Sequence, residues 1–176
     1  MTTHNTLSEM SVLPGMHPQV VIQRLHDDAR IPERATPGSV GYDLTSCEKS
    51  VTIARGTRRL VNTGIRIGMS SGGAAAAAVE FYARIAPRSG LAVRGIDVLA
   101  GVCDSDYRGA YRVLLANNSD EDFVVVAGDR IAQLVFEAVV HPVIHVADST
   151  EAFDTMASPS VRGEGGFGST STFSLS

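Results

Sequence analysis

The chain of 176 residues holds a single lysine, Lys49, against 14 arginines. Schiff-base chemistry and a lysine-dependent phosphate loop have only that one position available, so forked guanidinium groups are the expected phosphate binders. Cysteine is almost as scarce. Cys47 and Cys103 show neither CxxC spacing nor a neighbouring histidine pattern, so neither a zinc site nor a disulfide framework is suggested and a reducing compartment is the default. There is no run of Lys or Arg, and the formal net charge is −4. Broad nucleic-acid binding is therefore not expected, and any anionic ligand should be small. No apolar stretch approaches membrane-spanning length, and residues 1–19 contain no Lys or Arg and no apolar centre of a targeting sequence. The expected setting is the cytoplasm or nucleus, away from membranes.

Hydrophobic residues make up 44% of the chain and charged residues 19%, enough apolar material for one domain with a sizeable core. Residues 1–19 and 159–176 lack periodicity and are rich in Ser and Thr, with Gly added in the second. They read as an N-terminal extension and a flexible tail around a domain at 20–158. Within the domain, runs of Val, Ile and aromatic residues at 20–25, 51–53, 60–69, 80–86, 111–116, 123–126, 131–140 and 143–146 are separated by Pro-Gly, Asn-Asn and Gly-Asp turn signals. Ile65, Ile67 and Met69 alternate with polar or small residues, the period of a half-buried strand. The pattern is all-β with little room for helix, as in a sandwich, barrel or jelly roll. The alanine-rich stretch 74–78 reads as an enlarged hairpin loop, with a short helical turn as the alternative.

Five segments carry candidate chemistry. Residues 35–44 (ATPGSVGYDL) turn into a strand at Asp43, which could cap, form a turn or meet a metal through water. Residues 87–92 (PRSGLA) put the Arg88 guanidinium, the Ser89 hydroxyl and the Gly90 backbone N–H together, either as a solvated turn or as an anion-binding group. Residues 101–109 (GVCDSDYRG) read as a strand entering a turn, with Asp104 and Asp106 on one face as metal ligands, a general base with its partner, or turn residues. Residues 128–134 (GDRIAQL) open a strand in which Asp129 and Arg130 could pair and Gln133 is a polar residue that needs a partner. Residues 162–170 (RGEGGFGST) have the glycine spacing of a phosphate loop but lack its lysine and its helix. What remains is a strap with Arg162, Ser169 and Thr170 for an anion and Phe167 for a flat group, or else an unstructured Gly/Ser tail. His141 and His145 are four apart, but Pro142 and the flanking valines place them in a strand, so a shared zinc ion is rejected.

In this order, the five segments resemble the five motifs of the trimeric deoxyuridine triphosphatases (dUTPases), and the resemblance runs from about residue 20 to 170. It implies a β jelly-roll protomer and a homotrimer with active sites at the subunit interfaces. By that resemblance Asp104 is the general base, activating water for attack on the α-phosphorus of dUTP to give dUMP and pyrophosphate. Arg88, Ser89, Gly90 and Gln133 hold phosphates, and Asp43 meets Mg²⁺ through water. Tyr107 packs on deoxyribose and excludes a 2′-hydroxyl, and the hairpin from Gly101 to Arg112 reads the uracil edge. Arg162, Gly168, Ser169 and Thr170 close on the γ-phosphate, with Phe167 stacked over uracil. The chain departs from the family pattern at Cys103, where an aliphatic residue is usual, at Ser171, where Gly is usual, and in the longer loop 70–79. The alternatives are a dCTP deaminase of the same fold and a nucleotide-binding regulatory protein. A second, regulatory role with an unidentified partner is compatible with all of these.

Overall fold

The computed structural model describes residues 18–71 and 80–165. The expectations for residues 1–17, for the alanine-rich loop and for Phe167, Gly168, Ser169, Thr170 and Ser171 lie outside the described residues. The chain divides into two compact units, the first ending at Val140 and the second beginning at His141.

The first unit holds β1 (Gln19–Arg24), β2 (Tyr42–Thr45), β3 (Ser50–Ile53), β4 (Arg58–Ser70), β5 (Phe81–Ala86), α1 (Ser89–Ala92), β6 (Ile96–Leu99), β7 (Val102–Cys103), β8 (Ala110–Asn117), β9 (Phe123–Val126) and β10 (Arg130–Ala138). They form two four-stranded sheets, β1-β4-β8-β6 and β2-β10-β5-β7, and a two-stranded ribbon, β3-β9. Every pairing is antiparallel. This is the expected all-β jelly roll, in which strands distant in sequence lie side by side.

Alternation builds the core. Along β4, Val61, Thr63, Ile65, Ile67 and Met69 point inward while the residues between them face outward. On β8, Tyr111, Val113 and Leu115 do the same, and they meet Leu44, Ile85, Ile131 and Leu134 from the other sheet in one apolar cluster. Two polar residues buried in this core are satisfied. The Thr63 hydroxyl donates to the Tyr111 carbonyl at 2.6 Å. The Asn117 amide donates to the Ile53 and Glu121 carbonyls at 2.9 and 2.8 Å, tying the end of β8 to β3 and to the turn before β9. Gly64 interrupts β4 at φ +71°, where a Cβ would press on Ala29, His26 and the Cys47 sulfur. The β4–β8 register shifts across it, between Asn62 and Arg66.

The structure corrects the sequence reading in four places. Residues 143–146 form no strand, and Val143, Ile144 and Val146 are exposed. β6 has no counterpart in the expected strands, because Asp97 breaks its short apolar run. Residues 89–92 form the single helical turn α1 rather than an open turn. The second unit contains α2 (Thr150–Met156), capped by the Ser149 hydroxyl accepting from the Ala152 N–H at 3.1 Å and carrying Glu151 in its first turn. Seven residues give too few turns for a 3.6-residue period to show.

On the outer face of β5 and β10, the Arg84 guanidinium and the Tyr82 hydroxyl both donate to the Glu137 carboxylate, with Arg84 Nε 3.0 Å from each oxygen. The Arg84 hydrogen bonds, followed by that from Tyr82, hold the Glu137 pKa down to about 2. A folded-state value below the ordinary ~4.3 of Glu gives stability that is present above that value and is lost as pH falls through the folded one. Thermal unfolding followed from pH 6 to pH 2 should therefore show a loss between about pH 4.5 and 2 that is shallower in Glu137→Gln. Identical pH slopes for the two proteins would mean that the cluster contributes nothing.

Candidate active site

β10 lies between β2 and β5 and draws three of the five segments together. Its pairing sets Gln133 opposite Asp43 on β2 and opposite Ala86 on β5, one residue before Pro87 and two before Arg88. In a regular strand Arg130 and Gln133, three apart, would face opposite sides. Here a bulge between Arg130 and Ala132 shifts the register against β2, and Ile131 and Ala132 are both buried in succession. The extra residue restores both polar side chains to the Asp43 side.

Asp43 is the hub of the resulting cluster. One of its carboxylate oxygens takes the Arg88 Nε at 3.0 Å, and the other takes an Arg130 terminal nitrogen at 3.3 Å. Arg88 also donates to the Arg130 carbonyl at 3.1 Å. The Gln133 amide donates to the Pro87 carbonyl at 2.9 Å, which fixes the chain just ahead of Arg88. Gly41 makes room for this, since a Cβ there would run into the Gln133 side chain. The turn before it is closed by Thr36 and Ser39, whose backbone and hydroxyl groups bond reciprocally. Ser89 and Gly90 follow Arg88 directly in α1. Two guanidinium groups around one carboxylate leave a net positive site, suited to an oxyanion. Arg130 was not singled out as a binding residue from sequence. It was expected to pair with its neighbour Asp129, but Asp129 instead accepts from the Val126 N–H at 2.9 Å, closing the β9–β10 turn.

The hairpin of residues 101–109 lies elsewhere. Gly101 packs so closely on β5 that a Cβ would strike the Ile85 carbonyl, and its own carbonyl accepts from the Ile85 N–H at 2.7 Å. Ala100, just before it, sits at φ +50°, a left-handed conformation rarely adopted by residues with a Cβ. β7 ends at Cys103, so Asp104 and Asp106 are in a turn, where two-residue alternation no longer applies. The Asp104 carbonyl accepts from the Tyr107 N–H at 3.0 Å. Asp104 lines a cleft with Cys103, Tyr107 and Arg112, whereas Asp106 lines a separate hollow with Ser105, Arg108 and Glu80. The expected shared face for the two carboxylates is not formed. Burial, and next the Asp104 charge, push the Cys103 thiol up, in keeping with its reading as a small packing residue.

Asp104 and Arg88 are at opposite ends of β5. Cys103 pairs with Ala83, so Asp104 leaves the sheet beside Tyr82, six residues before Arg88. At ~3.3 Å per residue that separation is about 20 Å. Arg162 lies in the second unit, where its Nε donates to the Gly165 carbonyl at 2.7 Å. Among the described residues, no three His, Cys, Asp or Glu side chains are placed to hold a metal ion.

The described residues thus form an antiparallel jelly roll that carries a cationic cluster suited to an oxyanion and, apart from it, a hairpin with Asp104 and Tyr107. Comparison with known proteins narrows this. A family model described as dUTPase matches residues 27–171. The chain is 46% identical over 152 residues to the deoxyuridine 5′-triphosphate nucleotidohydrolase of Paramecium bursaria Chlorella virus 1, covering 86% of this chain and 96% of the viral protein. It is 48% identical over 151 residues to the protein of the same name from Arabidopsis thaliana, covering 85% and 81% of the two chains. The fold matches that of the Staphylococcus bacteriophage 80alpha dUTPase solved with dUPNHPP, with TM-score 0.73 and 22% identity over 87% of this chain and 98% of the other. The chain belongs to the dUTPase family.

Because Arg88 uses one nitrogen on Asp43 and another on the Arg130 carbonyl, charge alone should not replace it. Arg88→Ala and Arg88→Lys should both weaken binding of inorganic triphosphate, measured calorimetrically, by about tenfold or more, since a lysine cannot reproduce the fork. Affinity in Arg88→Lys within twofold of the parent would show that the fork is not used.

Proposed function

We infer that the protein hydrolyses dUTP to dUMP and pyrophosphate. The observation that carries this reading is the intact pair of half-sites, the Asp43–Arg88–Arg130–Gln133 cluster and the Asp104–Tyr107 hairpin, in a chain 42–48% identical to deoxyuridine 5′-triphosphate nucleotidohydrolases. A deaminase of the same fold has no such support.

Asp104, exposed at the rim of its cleft, takes a proton from water as the water oxygen attacks the α-phosphorus in line. The bond to the bridging oxygen breaks, and pyrophosphate leaves. Arg88, held by Asp43, presents its guanidinium to the phosphates beside the Ser89 hydroxyl and the Gly90 N–H, and Gln133 fixes the backbone from which they project. Tyr107 packs on the deoxyribose, and the backbone of the hairpin between Gly101 and Arg112 meets the base; the Gly101 carbonyl is already engaged by Ile85, so its neighbours supply the base contacts. Arg162, Phe167, Gly168, Ser169 and Thr170 form the strap that closes on the γ-phosphate and base. Both Asp43 oxygens are engaged by arginines, so Asp43 would hold Mg²⁺ only through water, with the triphosphate supplying the remaining oxygens. When bound, the ion would neutralise charge on the phosphates.

The ~20 Å between Asp104 and Arg88 exceeds what a nucleoside triphosphate needs between its attacked phosphorus and its phosphate clamp. A complete site therefore takes the hairpin from one subunit and the cationic cluster from another, as in a cyclic homotrimer. In the second unit, the exposed Val143, Ile144 and Val146 are apolar surface open to such an assembly.

Pyrophosphate release should be fast with dUTP and at least ~10⁴-fold less efficient with dCTP, because a site built to hydrogen-bond one base edge leaves buried groups unpaired with the other. Asp104→Asn should lower kcat by ~10²- to 10⁴-fold with little change in nucleotide affinity; near-normal turnover would remove Asp104 from the base role. Mixing Asp104→Asn with Arg88→Ala subunits in equal amounts, after dissociation and reassembly, should restore about one site in four if the half-sites come from different chains. No restoration in mixed trimers, verified by native mass spectrometry, would place both in one chain.

A further inference from the structure

Tyr107 is 42% exposed, and a side chain that excludes a 2′-hydroxyl from such a position has to be held in place. Three contacts hold it. Its hydroxyl donates to the Ala110 carbonyl at 3.1 Å. The absence of a Cβ on Gly109 leaves the space its ring and hydroxyl occupy. Its ring rests on that of Tyr111, with centroids 5.8 Å apart and planes at 53°.

Tyr111 is unlike the other two supports. It is 1% exposed, deep in the core on β8, and its carbonyl is clamped by the Thr63 hydroxyl where the β4–β8 register shifts. Its hydroxyl is buried with no hydrogen-bond partner among the described residues. Burial, and next the Cys103 thiol, push that hydroxyl far above the ordinary tyrosine range, so it stays neutral at every working pH. A buried hydroxyl without a protein partner costs the fold stability, whereas the ring beneath it is a fixed surface.

Resting on the reading of Tyr107 as the sugar gate, we propose that Tyr111 is a positioning residue for that gate: its immobile ring sets the plane of Tyr107 and thereby the discrimination between deoxyribose and ribose. Tyr111 touches no substrate and acts through Tyr107 alone. Its ring carries the effect and its hydroxyl does not.

The test compares kcat and KM for dUTP and UTP in the parent, Tyr107→Ala, Tyr111→Phe, Tyr111→Leu and the Tyr107→Ala/Tyr111→Leu double variant, with thermal unfolding of each. Tyr111→Leu should lower the dUTP-to-UTP ratio of kcat/KM by about tenfold, the scale of a packing-based preference, chiefly through a lower KM for UTP and with the pH profile for dUTP unchanged. Tyr111→Phe should stay within twofold of the parent and be no less stable. The double variant should match Tyr107→Ala, because two residues acting through one contact are not additive. A parent-like ratio in a folded Tyr111→Leu variant, a ratio in Tyr111→Phe as low as in Tyr111→Leu, or additive losses in the double variant would each overturn the proposal. Should leucine prevent folding, Tyr111→Met is read by the same criteria. Failure of the underlying reading looks different: Tyr107→Ala itself would then leave the ratio unchanged, and the role of Tyr111 would fall with it.

Discussion

The bulge at the start of β10 is the constraint on which the cationic half-site depends. With strict alternation from Arg130 to Gln133, one of the two would turn toward the core, where a guanidinium or an amide without partners costs several kcal/mol. With one extra residue, Ile131 and Ala132 absorb the burial and both polar side chains stay on the Asp43 side. Everything downstream follows from that register. Gln133 reaches the Pro87 carbonyl, Pro87 fixes the start of the Arg88 segment, and Arg88 meets a carboxylate already pinned from its other oxygen by Arg130. Gly41 belongs to the same chain of dependence, since its missing side chain is the space that Gln133 fills.

Much of this was legible in the sequence, for identifiable reasons. Long strands with strict alternation, such as the segment around Ile65, Ile67 and Met69, announce themselves because one face has to be buried. The five segments were legible as a set because each concentrates glycines and charged groups in an order that has few other uses. The partnership of Arg130 with Asp43 was not. It joins residues 87 positions apart through a bulge, and no local pattern distinguishes a bulged strand from a regular one. Locally, Asp129 is the nearer carboxylate, and only the turn that claims Asp129 for the Val126 N–H leaves Arg130 free for the distant one. Asp104 and Asp106 show the converse error. Spacing of two implies one face only while the backbone stays extended, and β7 stops at Cys103, before either carboxylate.

The two half-sites are also mounted differently. The cationic cluster stands on three paired strands, and its side chains hold one another through charge-assisted bonds. The hairpin depends instead on close backbone approach. Gly101 lies against the Ile85 carbonyl, Ala100 takes a left-handed conformation to reach it, and the Tyr107 ring fills the space over Gly109. The first arrangement suits a group that binds a fixed pattern of phosphate charge. The second suits a wall whose position by a few tenths of an ångström decides what is excluded.

Placing the halves at opposite ends of β5 has a consequence for how binding and selection are separated. Within one chain the cationic cluster and the 101–109 hairpin adjoin the same strand near its two ends, so each is mounted on β5 separately. On the proposed function, a site assembled across an interface would take its geometry from two well-packed sheets rather than from one loop. On that reading, triphosphates such as UTP or dCTP would engage the charges of the cluster without completing the constellation around Asp104. Charge, which every nucleotide carries, then supplies affinity, while discrimination is left to the neutral contacts of the hairpin, whose cost for a wrong ligand is steric or an unpaired hydrogen-bonding group.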